Sequence, residues 1–255
     1  MKKISIVMPC ETNRIPLLLE SIKAYESFGV PEDVEFIIVS RTIKNGQLPF
    51  NHKLVTYDWT LTPDFFNPSL ALNLGVKASK YDNIIITCPE VKPYTNCLQQ
   101  LQQLERGNYV CQTFDMHENG TRRQKPLVNS EFRFEHPGFY FLALYKKEDI
   151  EAINGWDLNF MYGWAWDDND FGERFVRAGL EFQILDDIQA EHQYHPRLGS
   201  FGHTWNPKRV AYSHNFEIVE RHKLQETTKI NPGLKQVEEW YIEKKEEMRL
   251  QNENC

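Results

Sequence analysis

"ISIVMPCETNRIPLLLESIKAYESFGVPEDVEFIIVS" (residues 4–40) decides the fold class. It opens with a β-branched run, residues 4–9, halted by Pro9, and closes with a second apolar run, "VEFIIVS" (34–40). Both runs are continuous rather than alternating, as in strands covered on both faces. Between them, "IPLLLESIKAYESFG" (15–29) sets Leu18, Ile22 and Tyr25 on one helical face and stops at Gly29. A strand, a helix and a second buried strand at this spacing predict a parallel crossover unit.

The spacing then recurs along the chain. "KLVTYDW" (53–59) predicts a third strand, "NPSLALNLGVKAS" (67–79) a helix with Pro68 in its first turn, and "NIIITC" (83–88) another buried strand. The loop "PEVKP" (89–93) and the helical "YTNCLQQLQQLERG" (94–107) follow. "NYVCQTF" (108–114) and "FYFLALY" (139–145) read as strands on either side of a polar loop, 115–138, that has no clear period. "KKEDIEAINGWD" (146–157) is a short helix ending near Gly155, and "FGERFVRAGLEFQIL" (171–185) is a helix, a Gly179 stop and a strand. A charged helix, 235–250, closes the chain. The expected fold is α/β, with a mostly parallel central sheet, helices on both faces and a C-terminal helical extension. Ligands of such sheets sit beyond the carboxyl ends of the strands. That singles out "PCETN" (9–13), "SRT" (40–42) and "TCPEV" (87–91).

Composition narrows the partners. The 255 residues suffice for a sizeable core, and a net charge of −7 argues against a nucleic-acid partner. Five cysteines, scattered and without metal-site spacing, suit a reducing compartment. The apolar run in the opening "MKKISIVMPCETNR" is too short for a secretory signal, and no stretch approaches a membrane span. A soluble, cytoplasmic protein with no integral membrane segment is expected.

The chemistry concentrates in "FMYGWAWDDNDFGERFVRAG" (160–179). Phe171, Phe175 and Ala178 share a helical face, which puts Asp167 and Asp168 in the first turn. Carboxylates there are stabilised as anions by the open backbone N–H groups and the helix dipole. An acid pair alone is simply a good helix start, and Asp170 reads as a solvated or structural acid of the same turn. The rings of Tyr162, Trp164 and Trp166 change the balance, because sugar faces stack on aromatics. A carboxylate beside such a platform is suited to take a proton from an acceptor hydroxyl.

The longer stretch "INGWDLNFMYGWAWDDNDFGERFVRAG" (153–179) resembles the acceptor-side segment of inverting glycosyltransferases with the GT-A fold. The likeness is to family 2 enzymes and to β-1,4-galactosyltransferase and chondroitin-polymerase types. Their pattern is a Gly–Phe–Asp turn, then Trp–Gly–Gly–Glu–Asp, then an Arg-containing helix ending in Ala–Gly. Gly155-Trp156-Asp157 matches the turn, Trp164-Ala165-Trp166-Asp167-Asp168 the acidic motif, and Arg174 to Gly179 the helix end. The resemblance implies Asp168 as catalytic base, Asp167 as the acceptor-contacting acid, and Trp156, Asp157, Trp164 and Trp166 as the acceptor wall. Ala165 and Trp166 replace two glycines, and Asp167 replaces a Glu, so the acceptor pocket is reshaped while the base stays.

The same resemblance, more loosely, covers residues 1–197. It implies a nucleotide-binding half at 1–100, an acceptor half at 101–200 and an extension at 201–255. Pro9, Glu11, Ser40, Arg41 and Asn73 fall on donor-binding positions. At the usual Asp–x–Asp metal motif this chain has Cys88 and Glu90; at the usual base-reading Asp it has Ser40 and Arg41. The Arg expected before Asn73 is Leu72. Glu90 retains one hard oxygen ligand for a divalent cation, whereas Cys88 is a poor one. In "QAEHQYHPR" (189–197), His192 and then His195 resemble the family's late metal-binding histidine, which favours Mn²⁺ over Mg²⁺. Against this stands the bland reading of Glu90 in an ordinary loop and of the histidines on the surface. His203, His214 and His222 carry no assigned role.

The implied reaction is inverting transfer from a nucleotide-sugar, a UDP-sugar first, to a carbohydrate or glycolipid hydroxyl. A degenerate domain that binds a sugar or nucleotide without transfer is the alternative, supported by the altered positions Ser40, Leu72, Cys88 and Glu90. A metallohydrolase is the third reading, weakened because no ligand motif such as His–Glu–x–x–His is present.

Overall fold

The computed structural model describes residues 1–58, 67–128, 141–160, 166–195 and 207–253. The chain runs β1 (Ile4–Pro9), α1 (Ile15–Ser27), β2 (Val34–Ser40), β3 (Lys53–Thr56), α2 (Pro68–Ala78), β4 (Asn83–Thr87), β5 (Val91–Pro93) and α3 (Cys97–Gln103). It continues through β6 (Tyr109–Met116), β7 (Arg122–Val128), β8 (Leu142–Lys146), α4 (Lys147–Ala152), α5 (Asp167–Arg177), β9 (Gln183–His192), α6 (Pro207–Leu224) and α7 (Val237–Glu253). The strands form one sheet in the order β3-β2-β1-β4-β8-β6-β9-β5, with β7 added on β6.

Alternate residues of the central strands feed two cores. Ile4, Ile6 and Met8 of β1 join Leu18, Ile22 and Tyr25 of α1 and Leu98 and Leu101 of α3 on one face. Val7, Ile37 and Val39 meet Leu70, Ala71 and Val76 of α2 on the other, where Phe171 and Phe175 of α5 and Val237 and Trp240 of α7 also pack. This two-sided burial is why the strands are apolar without interruption. The last helix, α7, is thus part of the second core, while Ile218 and Val219 of α6 form a smaller cluster with Phe160.

The parallel character expected from the sequence belongs to β3-β2-β1-β4 and to the β6-β9 pair. The β4-β8, β6-β8, β6-β7 and β5-β9 pairings are antiparallel. Direction is nevertheless preserved where it matters. Since β8 opposes β4, β6 opposes β8 and β9 follows β6, both β6 and β9 point the same way as β4. The carboxyl ends of β1, β2, β4, β6 and β9 therefore lie along one edge of the sheet.

Two strands arise where the sequence shows no strand pattern. β7 lies in the polar 115–138 stretch, carries Arg122 and Arg123, and pairs with β6 through register shifts, so no apolar alternation marks it. β5 is a three-residue strand inside "PEVKP", too short for any period, and it is held by β9. The α6 helix, likewise, is too weakly amphipathic to announce itself, and its burial rests on a few residues such as Ile218 and Val219.

One glycine is required by close packing. Gly75 lets α2 sit down on the sheet: a methyl there would collide with Val7 and come within 3.0 Å of Val39 Cγ2. Neither branched side chain can retreat in a filled core. Gly75→Ala should therefore destabilise the fold by about 1–3 kcal/mol despite its better helix propensity. Urea unfolding checks this.

Candidate active site at the carboxyl edge of the sheet

The acids at the start of α5 are brought to that edge by connectivity. Residues 178–182 alone separate α5 from β9, so the helix runs back against the strand and its first turn returns to the carboxyl end of the sheet. The helix is anchored over β8 by Phe171 and Phe175, whose rings lie 5.5 and 5.7 Å from Tyr145. Asp167 is buried, while Asp168 is half-buried and accepts a hydrogen bond from the Asn169 N–H at 2.8 Å. Trp166 precedes them with φ 76°, a left-handed conformation unusual for a bulky residue. Its ring packs at 5.3 Å from Tyr212 and 5.1 Å from Phe216 of α6. Trp164 and Tyr162 lie outside the described residues.

Beneath this turn lies a buried charge cluster. Arg174, fully buried, donates to Asp170 Oδ2 at 2.7 Å and to the carbonyls of Ile153 and Gly155. His222 of α6 reaches the other Asp170 oxygen at 2.7 Å and comes to 3.4 Å from Asp157. Burial pushes the Asp170 carboxyl up, but Arg174 and His222 outweigh it and hold the group below its ordinary range. Asp157, where burial dominates, is pushed up instead. Asp170 is thus structural, as one of its two expected readings had it.

Several expected site residues are committed to the fold. Asn73 is fully buried, and its amide donates to the Trp156 carbonyl at 2.7 Å and accepts from the Trp156 N–H at 3.0 Å, so neither end faces a donor. Trp156 is 0% exposed and stacked 4.2 Å from Phe171, so it is a core residue and not an acceptor wall. Asp157 is buried and accepts from the backbone and side chain of Asn159. Pro9 is buried at the end of β1, and the buried Ser40 hydroxyl accepts from the Thr42 and Ile43 N–H groups. Ser40 therefore shapes the turn that presents Arg41. A motif position says where a residue falls in the chain; it does not say whether the side chain is already spent on packing.

What faces the edge is a set of charge pairs. Glu11 accepts from the Arg41 backbone N–H at 3.0 Å and pairs with its side chain at 3.4 Å. Glu90 pairs with Arg14 at 3.1 Å. Cys88 lies beside it, its thiol pushed well up by burial and then by the Glu90 charge, so it stays protonated. At the ends of β6 and β9, His192 Nδ1 lies 3.1 Å from Asp115 Oδ1, and the His192 and His195 rings are 5.3 Å apart. The Gln193 N–H donates to the Glu90 carbonyl at 2.8 Å. The pleat sends Gln193 and His192 to opposite faces, and the Gln193 side chain reaches Leu17 and Ser21 of α1. Among the described residues, no three His, Cys, Asp or Glu side chains cluster as a ligand set.

Comparison with known proteins bears on the fold. The family model described as the N-terminal domain of galactosyltransferase matches residues 129–197. No curated protein sequence matches the chain. Among solved structures, the catalytic domain of Drosophila β1,4-galactosyltransferase 7, in complex with xylobiose, is similar at TM-score 0.54 and 16% identity, over 83% of this chain and 80% of that one. The mannosyltransferase PcManGT of Pyrobaculum calidifontis, with GDP-Man and Mn²⁺, gives TM-score 0.55 and 14% identity, over 86% and 64%. S. aureus TarS 1–349 in complex with UDP gives TM-score 0.58 and 11% identity, over 86% and 71%. The chain has the GT-A fold of glycosyltransferases.

Within that GT-A frame, four contributors escaped the sequence reading: Arg14, Asp115, His222 and the Tyr212–Phe216 pair. Each acts through a partner distant in sequence, so no local motif marks it. The pairing of His222 with Asp170 shows how far the last helices support the acid-bearing turn. Arg174→Met should cost about 3–5 kcal/mol, because it strands a buried carboxylate. The Asp170 contribution, from a lowered carboxyl, is complete above about pH 4 and is lost as pH falls through its folded value. Chemical denaturation across that range should therefore show a shallower acid limb in Arg174→Met than in the wild type.

Proposed function

We propose that the protein transfers a sugar from a nucleotide-sugar to an acceptor hydroxyl with inversion. The observation that carries this reading is the convergence of Asp168 with the Glu11–Arg41, Arg14–Glu90 and His192–His195 groups at one carboxyl edge of a GT-A sheet. In this reading Asp168 is the base: half-buried in the first turn of a helix, whose dipole favours an anion, it takes the proton from the attacking hydroxyl. Asp167, buried in the same turn, stands behind Asp168 on the acceptor side, and Glu11, Arg41 and Arg14 line the donor side. The acceptor ring lies against Trp166, Tyr212 and Phe216, the last two 40% and 39% exposed.

The two adjacent imidazoles fit a borderline divalent ion, Mn²⁺ before Mg²⁺. His192 and His195 would hold it, and Glu90 would join only by leaving Arg14. Such a cation supplies charge to stabilise the departing diphosphate. UDP in TarS and GDP-Man with Mn²⁺ in the Pyrobaculum enzyme support a nucleotide-sugar donor, and we assign UDP-sugars first. A hexose or N-acetylhexosamine is the sugar class, and a carbohydrate or glycolipid the acceptor. No described helix is long and apolar enough to cross a membrane. A cytoplasmic location belongs to the same proposal, supported by Cys10, Cys88, Cys97 and Cys111, none of which forms a disulfide.

One observation favours a second reading, nucleotide binding without transfer: Glu90, the remaining acid of the metal motif, is held by Arg14. Release of nucleoside diphosphate from a panel of nucleotide-sugars, with acceptor present, separates the two. Asp168→Asn should lower transfer about 10²–10⁴-fold while nucleotide affinity is retained; equal activity in the variant would remove Asp168 as base. Tyr212→Ala should raise the acceptor KM and leave the donor KM unchanged, measured in the same assay.

A further inference from the structure

We propose that Asp115 is the positioning residue for His192, holding its imidazole with Nδ1 as the donor and Nε2 as the lone-pair nitrogen offered to a divalent cation. The sheet itself sets the pair: Asp115 and His192 are register partners in the parallel β6-β9 ladder. Their side chains meet at 3.1 Å, Oδ1 to Nδ1, with Asp115 only 4% exposed. Asp115 Oδ2 lies 3.2 Å from Arg123 Nε, so the carboxylate faces a donor on each side. An accepting carboxylate requires a proton on Nδ1, and in a neutral imidazole the lone pair is then on Nε2.

The ring plane is fixed as well. Phe141 stands edge-on to His192 at 5.3 Å, and His195 lies at the same centroid distance on an inclined plane. Turning the ring over about Cβ–Cγ would put Cδ2 in the place of Nδ1 and break the Asp115 contact. A carboxylate behind a metal-binding imidazole orients it and raises its basicity, and loss of such a partner commonly weakens metal affinity about 10–100-fold. Arg123 of β7, lying behind the carboxylate, keeps Asp115 in place in turn. This assignment rests on the transferase reading only for the identity of the ion.

The test needs no sugar transfer. In metal-free protein, ¹⁵N NMR of His192 should show the Nδ1–H tautomer. Mn²⁺ affinity, read from the electron paramagnetic resonance signal of free Mn²⁺, should fall about 10–100-fold in Asp115→Ala. Asp115→Asn, which keeps the shape and a weaker acceptor, should fall between the two and serves if the alanine variant does not fold. A predominant Nε2–H tautomer in the wild type, unchanged Mn²⁺ affinity in the folded variants, or no Mn²⁺ binding by the wild type at millimolar metal would each overturn the proposal. A wild type that passes both measurements yet transfers no sugar would refute the transferase reading and leave Asp115 in its role.

Discussion

The structure depends on a pair of hydrogen bonds between one side chain and one peptide unit. Asn73, on a helix of the first half, both donates to and accepts from the backbone of Trp156 in the second half. The amide imitates a strand edge, so a buried loop that belongs to no sheet still has its polar groups satisfied. Gly155 makes the approach possible: its φ of 69° suits glycine, and a side chain there would strike Asn73 and Leu234. Arg174 takes up the Gly155 carbonyl, and Asn154 binds the Ile230 carbonyl and Gln236. Loop, acid-bearing helix and C-terminal segment are therefore locked to α2 through one short run, 153–157.

From this junction the division of labour among the acids follows. Asp157 and Asp170 are buried and spent on Arg174, His222 and Asn159, and Asp167 is buried in the same first turn. Asp168 is the member of the group that keeps access to solvent while sharing the helix start. The sequence DDND thus holds buried, committed acids and a more accessible one side by side. Burial sorts them. A charged cluster of this kind is costly to desolvate, and its value lies in fixing one arrangement of the three elements it joins.

Local physics made much of the fold legible. The β1, β2 and β4 strands, α1 with its Leu18–Ile22–Tyr25 stripe, α2 with Pro68 in its first turn, and the α5 start were all readable, because each is decided by nearby residues. β5, β7 and α6 were not, since pairing and packing partners far along the chain decide them. The same boundary runs through the site. Asp167, Asp168, Glu11 and Arg41 could be picked from the ends of predicted elements. The burial of Asn73, Trp156 and Asp157, and the tie of Glu90 to Arg14, could not.

By itself the sequence determined an α/β architecture and the placing of an acid pair at a helix mouth, because periodicity and capping act over a few residues. Only the tertiary structure decided which acid stays accessible, that Asp115 stands behind His192, and that the last helices support the acid-bearing turn. Those are contacts across long stretches of chain, such as Asn73 with Trp156 at a separation of 83 residues and His192 with Asp115 at 77. Register, burial and ion pairing at such separations are fixed by how the sheet and helices pack, and a linear pattern does not encode them.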